Sequence, residues 1–304
     1  MAANKKITIK NLSRALRLPF LSASVLPFIF GSLYVRENFH IITFLFGLGA
    51  VIATHLSANL MNDYADSKSG ADWQDKNFYK FFGGSKLIQE KVFSELFFKR
   101  LAAFTALAAG FCVLGLSITL KASSVVGYYL VILLLGWSYS HKPLQFSYRR
   151  CGEFIIFLTF GPALVMGGYF IQTKLFPDMK SFLLSVPFGI FTTAILFANE
   201  IPDYSDDVRA KKMNWVSILG LDRAYVFYRL LVVAGFISIV VLVQRRYVSP
   251  FALCSLLGIF PAVKAIGILK HHYLDKTKLM LSSKLTICIQ VMVSVIMIAA
   301  IFIR

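Results

Sequence analysis

The chain has 304 residues, of which 57% are hydrophobic and only 15% are charged, and its mean hydropathy is +0.69. Soluble globular proteins are about 25% charged, so this composition excludes an ordinary soluble protein and indicates a chain surrounded by lipid. Lys and Arg number 32 against 15 Asp and Glu, a net charge of +17; such an excess is compatible with binding to nucleic acid or anionic lipid, or with membrane topology.

Apolar runs of about 20 residues predict the membrane-spanning helices. Nine such runs fall near residues 18–36, 40–62, 101–120, 123–139, 153–172, 181–201, 223–243, 250–270 and 283–303. The sequence therefore predicts an all-α polytopic membrane protein in a single domain, 1–304. The four cysteines form no CxxC pair, so neither a disulfide framework nor a zinc site is indicated. The N-terminal residues show no removable signal peptide.

The basic residues are distributed unevenly between the two sides of the predicted bundle. If the N-terminus is cytoplasmic, 25 of the 32 Lys and Arg lie on the cytoplasmic side. The positive-inside rule favours this orientation, with the C-terminus outside. Because topology accounts for most of the net charge, nucleic-acid binding is not expected.

The acidic residues are gathered on the same side, where 13 of the 15 lie. Acids contribute little to topology, so their position suggests a function. Two segments stand out, NLMNDYADSKSGAD and NEIPDYSDDVRAKK, each at the cytoplasmic end of a predicted helix. We call them the first and second acidic motifs.

Helical spacing places the polar residues of each motif on one face. In the first motif these are Asn59, Asn62, Asp63 and Asp66, and in the second they are Asn199, Asp203, Asp206 and Asp207. Their spacings of three, four, seven and eight residues are those of one helix face. An offset of 140 residues aligns Asn59 with Asn199 and Asp63 with Asp203. This predicts two related halves, about 18–139 and 153–270, facing one cavity.

Clustered carboxylates repel one another unless cations lie between them, and such hard oxygen donors suit Mg²⁺ bound to substrate phosphates. The predicted ligand is a diphosphate bridged by metal. The simpler alternative is a set of solvated acids that balance nearby lysines. The first motif does not fit a calcium-binding EF-hand loop, which ends in a bidentate Glu.

The two motifs resemble those of the UbiA-type intramembrane prenyltransferases, which have nine helices and acidic motifs after the second and sixth. The resemblance is greatest to the 1,4-dihydroxy-2-naphthoate polyprenyltransferases of menaquinone synthesis, whose first motif reads NDYxDxxxGxD. Further matching segments are RLPFLSASVLP, FGGSKLI, YSHKPLQFSYRRCGE and FGPALVMGGYFIQT. The family's N-x-x-x-D-x-x-x-D pattern favours Asp207 over Asp206 in the second motif. Where the family usually has Gly-Lys-x-Thr, this chain has Lys211, Lys212, Met213 and Asn214.

The resemblance implies a UbiA-like bundle with a cytoplasmic cap of Asp-rich loops, and Mg²⁺-dependent transfer of a polyprenyl group to an aromatic acceptor. The residues implied for Mg²⁺ are Asp63, Asp66, Asp72, Asp203 and Asp207. Those implied for substrate binding are Asn59, Asn62, Asn199, Arg17, Lys86 and Lys212. Tyr139 is the leading candidate to stabilise the allylic cation, since an aromatic face attracts a desolvated cation. The partners expected are a polyprenyl diphosphate, an aromatic acceptor and lipid, in a bacterial or archaeal cell membrane.

Several alternatives stay open on the sequence alone. His55 either faces the acceptor or is a packed, hydrogen-bonded residue, and Glu153 either binds the acceptor or caps a helix. The acceptor is 1,4-dihydroxy-2-naphthoate or another compound, such as 4-hydroxybenzoate, homogentisate, a porphyrin or a glycerol phosphate. A transporter would place its acids near the bilayer midplane, not at one end. A CDP-alcohol phosphotransferase would carry a DGxxAR motif, which the sequence lacks.

Overall fold

A computed structural model describes residues 8–73, 75 and 77–303. This part of the chain is helical and contains no strands, apart from an isolated bridge between Arg149 and Met213. The helices are α1 (Ile9–Ala15), α2 (Ser22–Leu33), α3 (Ile41–Ser69), α4 (Glu95–Leu120), α5 (Ser124–Ser138), α6 (Gly152–Phe160), α7 (Pro162–Thr173), α8 (Met179–Arg209), α9 (Trp215–Leu219), α10 (Leu221–Gln244), α11 (Ile259–His271) and α12 (Lys276–Phe302).

Seven helical segments in the described part are long and apolar enough to cross a membrane. They are α3, α4, α6 with α7, α8, α10, α12, and α11 with the 3-10 helix Pro250–Gly258 that precedes it. The first predicted span, 18–36, is instead part of a pair in which α1 and the segment Leu18–Leu33 are bent by 51°. The fourth, 123–139, is the 15-residue helix α5, short for a span.

The two helices that carry the acidic motifs extend beyond their predicted ends at residues 62 and 201. The cause is that counting apolar residues stops at the first polar turn, whereas the helix continues until a residue breaks it. Helix α3 ends at Gly70, whose φ of 88° lies in the left-handed region that favours glycine. Thus Asp63, Asp66 and the second-motif acids are on helices, and the predicted cap of Asp-rich loops is wrong for these residues.

The core is built around α8, which packs against α6, α7, α10 and α12. Helix α3 packs mainly on α4, so the two motif-bearing helices belong to different parts of the bundle. Helices α2 and α7 approach closely at Gly31, which has no side chain; a Cβ at this position would overlap the backbone of Val165. Between these groups of helices lies a cavity whose wall includes residues of both α3 and α8.

Four basic residues that contribute to the predicted charge asymmetry, Lys5, Lys6, Lys76 and Arg304, lie outside the described residues. The N-terminal segment examined for a signal peptide lies partly outside them as well.

The fold predicts which loops share a side of the membrane. The segment Gly152–Thr173, which comprises α6, Gly161 and α7, has 22 residues, or about 33 Å of helix, so the exposed Cys151 and Lys174 at its two ends should lie on opposite sides. In a variant whose other cysteines are replaced by Ala, an impermeant maleimide should modify Cys151 from the cytoplasmic side only. The same reagent should modify a Lys174→Cys, Cys151→Ala variant from the opposite side only. Modification of both from one side would contradict this topology.

Candidate active site

A cavity of about 730 Å³ contains most of the polar residues predicted for the site. Its wall combines acids and cations at the α3 and α8 C-terminal ends with apolar residues from α2, α4, α5, α6 and α7. The predicted residues on this wall are Arg17, Asn59, Asn62, Asp66, Asp72, Lys86, Tyr139, Asn199, Asp203, Asp207 and Lys212. The cavity therefore has its charged side chains at one end and a mostly apolar wall over the rest of its length.

Asp63 is the predicted ligand that does not belong to the described wall of the cavity. Its buried carboxylate forms an ion pair with Arg17 and accepts a hydrogen bond from the Ser85 backbone N–H at 3.1 Å. Arg17 itself does line the cavity. The geometry thus makes Asp63 a residue that positions Arg17, whereas Asn59, Asn62 and Asp66 of the same motif face the cavity.

Lys212 connects the two acidic motifs. Its ammonium nitrogen lies 3.7 Å from Asp66 Oδ2 of the first motif and 3.5 Å from Asp207 Oδ1 of the second. Burial disfavours the charged ammonium, but the two carboxylates outweigh burial and raise the pKa of Lys212 well above its ordinary value. Because Asp66 and Asp207 are both buried, this cation offsets a repulsion that water would screen poorly.

Lys276, at the start of α12, makes a second connection that the sequence did not indicate. Its ammonium lies 2.8 Å from Asp75 Oδ2 and 3.2 Å from Asp206 Oδ2. Asp206 and Asp207 are therefore neighbours in sequence with different cationic partners, and both line the cavity. The choice between them as a metal ligand stays a prediction.

The FGGSK segment lines the polar end of the cavity. Gly83 and Gly84 have φ of 72° and 73°, which glycine adopts without a Cβ penalty. This conformation directs the Gly83 N–H to Asp203 Oδ2 at 3.0 Å, and a Cβ on Gly84 would overlap the carboxylate of Asp72. The resemblance to the family identified the two glycines, and these close approaches explain why glycine is needed at both positions.

Asp72 lies in the turn after α3, where the buried ammonium of Lys86 is 3.4 Å from its Oδ1 and 2.9 Å from its backbone carbonyl oxygen. Burial, reinforced by the charge of Asp66 and opposed by Lys86, raises the pKa of Asp72 to about 8.

The solvated-acid alternative is wrong for the acids of these motifs that are buried. Asp63 is 2% exposed, Asp66 6%, Asp72 8% and Asp207 5%. Burial of this many charges is costly unless each is paired or hydrogen-bonded, and each of these four has a partner described above. Glu200 of the second motif is also buried, and its neighbour is the carboxyl of Glu153. In the described part of the chain, no three His, Cys, Asp or Glu side chains are close enough to form a metal site by themselves.

The sequence matches a known family over most of its length. The sequence profile of the UbiA prenyltransferase family matches residues 24–286. The chain belongs to the UbiA prenyltransferase family. It is accordingly an integral membrane enzyme, a prenyltransferase.

Named relatives agree with this family. The 1,4-dihydroxy-2-naphthoate octaprenyltransferase of Mycobacterium tuberculosis is 27% identical over 225 residues, 73% of each chain. The enzyme of the same name from Bacillus subtilis is 26% identical over 253 residues, 81% of this chain and 78% of the relative. A UbiA homologue from Aeropyrum pernix, solved in its apo form, superposes with a TM-score of 0.71 at 14% identity, covering 93% of this chain and 98% of that one. A homologue from Archaeoglobus fulgidus, solved with DMAPP and Mg²⁺, has a TM-score of 0.64 at 15% identity, with the same coverage.

The departure of this UbiA family member from Gly-Lys-x-Thr has a structural explanation. Lys211 occupies the glycine position and adopts a φ of 59°, in the region that favours glycine. Asn214 occupies the threonine position, where its side chain accepts from Ser217 N–H and caps α9. Its amide also donates to Asp207 Oδ2 at 2.8 Å. The substituted loop thus still places Lys212 between the two motifs.

Residues around Tyr139 complete the site, and several were not found from the sequence. Tyr148 donates to Asp66 Oδ1 at 3.2 Å, and the Asn62 amide donates to Ser140 Oγ at 2.5 Å. Tyr148 and Ser140 lie within a matched segment, but nothing in their spacing indicates these partners. The backbone carbonyl of Tyr139 accepts from the Ser147 N–H at 2.8 Å, which anchors the end of α5.

The structure also shows the surroundings of Glu153 and His55, whose roles the sequence left open. Glu153 Oε1 accepts from the Trp215 N–H at 2.8 Å, so this carboxylate binds the start of α9, and its other neighbour is the carboxyl of Glu200. Glu153 is outside the described cavity wall, whereas Glu200 and His55 belong to it. His55 is buried and packs edge-on against Phe160, but its ring nitrogens have no hydrogen-bond partner among the described residues.

Replacing Lys212 with Gln should destabilise the protein because Asp66 and Asp207 would then face each other without a cation. Removing one partner from a buried ion pair costs on the order of 3 kcal/mol. The unfolding temperature of the purified protein in detergent should fall by several degrees. The neighbouring Lys211 is exposed and makes no such pair, so Lys211→Gln is the matched control. Equal shifts for the two variants would contradict the bridging role.

Proposed function

We propose that this enzyme transfers a polyprenyl group from a polyprenyl diphosphate to 1,4-dihydroxy-2-naphthoate in menaquinone biosynthesis. The observation that carries the proposal is the cavity itself, in which two sets of acids and their cations lie at one end of an otherwise apolar wall. A polyprenyl diphosphate has the same division, because its tail is insoluble in water and its diphosphate is insoluble in lipid. The names of the Mycobacterium tuberculosis and Bacillus subtilis relatives support the choice of acceptor.

The donor chemistry of the polar end suits a divalent cation. Asp66, Asp203 and Asp207 offer carboxylate oxygens on the cavity wall, and Asp72 lies on the same wall. These are the ligands that Mg²⁺ prefers when it also binds substrate phosphates. Bound there, Mg²⁺ would neutralise charge on the diphosphate as a Lewis acid. The homologue solved with DMAPP and Mg²⁺ supports this assignment.

The basic residues serve the leaving group. Arg17, Lys86 and Lys212 line the same end of the cavity and are held by acids, Arg17 by Asp63 and Lys86 by Asp72. As the allylic C–O bond breaks, the diphosphate leaves with the bonding electron pair, and these preorganised cations stabilise the charge where it develops. Asn59, Asn62 and Asn199 supply uncharged polar groups beside them.

The allylic carbon then carries a positive charge. Tyr139 lines the cavity and offers an aromatic face, which stabilises a desolvated cation by up to about 2 kcal/mol. A ring carbon of the acceptor supplies the electron pair for the new C–C bond, and the acceptor's carboxylate is lost as CO₂. A water-excluding cavity protects the cation from hydrolysis.

In the membrane, we propose nine spans, with the bent α1–α2 pair and α5 completing the seven long segments. The excess of Lys and Arg at the acidic end favours a cytoplasmic N-terminus and active site. The proposed location is the cell membrane of a bacterium or archaeon. The tail of the substrate would lie along the apolar wall, among residues such as Phe28, Leu116 and Tyr128.

An assay of the purified protein tests the proposal. The protein is incubated with Mg²⁺, a polyprenyl diphosphate and, in turn, 1,4-dihydroxy-2-naphthoate, 4-hydroxybenzoate or homogentisate, and products are identified by mass. We expect a prenylated product with the naphthoate. Asp66→Asn and Asp203→Asn should each lower kcat/KM by about 100-fold or more, the size expected for loss of one transition-state stabilising group. Asp222→Asn is the matched control, because Asp222 is an exposed acid at the start of α10.

Different outcomes bear on different parts of the proposal. No product with any acceptor, or full activity in both site variants, would overturn the prenyl transfer. Product with 4-hydroxybenzoate alone would overturn only the choice of acceptor. Activity that persists after chelation of divalent metal would overturn the Mg²⁺ assignment.

A further inference from the structure

Two buried side chains on the cavity wall, deeper than the acidic motifs, have polar atoms that nothing in the described chain satisfies. They are both ring nitrogens of His55 and the hydroxyl of Thr192. His55 is 8% exposed and Thr192 5% exposed, and both line the cavity. Unpaired buried polar atoms are rare in folded proteins, and each needs an explanation.

These two residues lie on different helices, α3 and α8, each preceding the acidic motif of its helix. His55 is one turn before Asn59 on α3, and Thr192 is about two turns before Asn199 on α8, so both lie farther into the membrane than the acids. The His55 ring is 5.6 Å from that of Phe160 at the end of α6. Phe157 of α6 and Gly161, which follows α6, pack on Gly189, three residues before Thr192. Helix α6 therefore contacts His55 of α3 through Phe160 and approaches α8 near Thr192 through Phe157.

The chemistry of this pair does not suit the hydrocarbon tail or the diphosphate. A hydrocarbon cannot satisfy an imidazole or a hydroxyl, and the diphosphate is drawn to the cations one or more turns away. Neutral donors and acceptors flanked by an aromatic ring suit a hydroxylated aromatic ring, whose hydroxyl groups both donate and accept. Asn59 Nδ2 and Asn199 Oδ1, between the pair and the acids, also have no partner in the described residues.

We propose that His55 and Thr192 bind the hydroxyl groups of the aromatic acceptor, placing its ring in the membrane half of the cavity beside Phe160. The inference rests on the proposed function and deepens it, because it assigns residues that select a hydroxylated ring. The acceptor is then held by α3 and α8 below the diphosphate, and its reactive carbon points toward the acidic end. The apolar residues of α2, α4 and α5 are left for the tail.

Steady-state kinetics of the full-length protein test this assignment. Thr192→Val removes the hydroxyl with little change of shape, and it should raise the KM for 1,4-dihydroxy-2-naphthoate about tenfold, the size of one hydrogen bond. His55→Phe should raise it further, and His55→Gln, which keeps a donor and an acceptor, should restore part of the loss. The KM for the polyprenyl diphosphate should stay within about twofold in each variant.

Thr193→Val is the matched control. Thr193 is next in sequence but donates to the Gly189 carbonyl at 2.9 Å and is not on the described cavity wall. Its substitution should leave both KM values unchanged. An unchanged acceptor KM in Thr192→Val would overturn the inference, and so would a larger change in the diphosphate KM than in the acceptor KM.

Direct binding separates this inference from the proposed function. Calorimetric titration of 1,4-dihydroxy-2-naphthoate into the protein, without prenyl diphosphate, should show about tenfold weaker binding to Thr192→Val than to the wild type. If the wild type binds the naphthoate but transfers no prenyl group, the proposed function fails while the binding assignment stands. Equal affinities of the wild type and Thr192→Val, or no binding to either, would overturn the assignment. Should His55→Phe fail to fold, Thr192→Val decides the outcome by itself.

Discussion

The site depends on one electrostatic constraint, which is that acids from two different helices face one buried space. Asp66 on α3 and Asp207 on α8 would repel each other, and Lys212 lies between them at 3.7 and 3.5 Å. The position of Lys212 is set in turn by the loop after α8, where Asn214 both caps α9 and donates to Asp207. Lys276 connects Asp75 and Asp206 in the same way from α12. The C-terminal ends of α3 and α8 are thus joined through cations without packing on each other, which leaves the cavity between them.

The same arrangement explains why the charged groups are confined to one end. A buried charge is tolerated only near a partner, and the partners come from the loops and helix ends on the side where Lys and Arg are abundant. Deeper along α3 and α8, charged residues give way to amides, a hydroxyl and an imidazole, and then to apolar side chains. A ligand that enters this cavity meets charge, neutral polarity and hydrocarbon in that order. Under the proposed function, the diphosphate, the aromatic acceptor and the isoprenoid tail would meet charged, neutral polar and apolar residues respectively.

Local sequence information predicted the parts of the site that depend on helical periodicity. The spacing of Asn59, Asn62 and Asp66 placed them on one face, and that face lines the cavity. Periodicity could not show that Asp63 turns aside, because its partners Arg17 and Ser85 come from other segments. Periodicity could not predict the contact of Lys276 with Asp206 either, since 70 residues separate the two in sequence. Helix ends were misplaced where a polar turn continued the helix, and the α1–α2 bend left no signal in hydropathy. The resemblance to the family rests on motifs spread along the whole chain. The count of nine spans rests only on the local run of apolar residues.

The pairing of Asp63, Asp66, Asp72 and Asp207 with cations has a consequence for substrate binding under the proposed function. A free diphosphate would attract Lys86, Lys212 and Arg17, but taking these cations would leave Asp63, Asp72 and the bridged pair uncompensated in a poorly screened space. A divalent cation alone would compete with the lysines for the same carboxylates. A diphosphate that arrives with its divalent cation adds both signs of charge together, so phosphate oxygens can pair with the lysines while the carboxylates pair with the metal. The charge balance of the site therefore favours binding of the diphosphate together with its divalent cation over binding of either one alone. This preference follows from the lysine side chains that already pair with the acids of the two motifs.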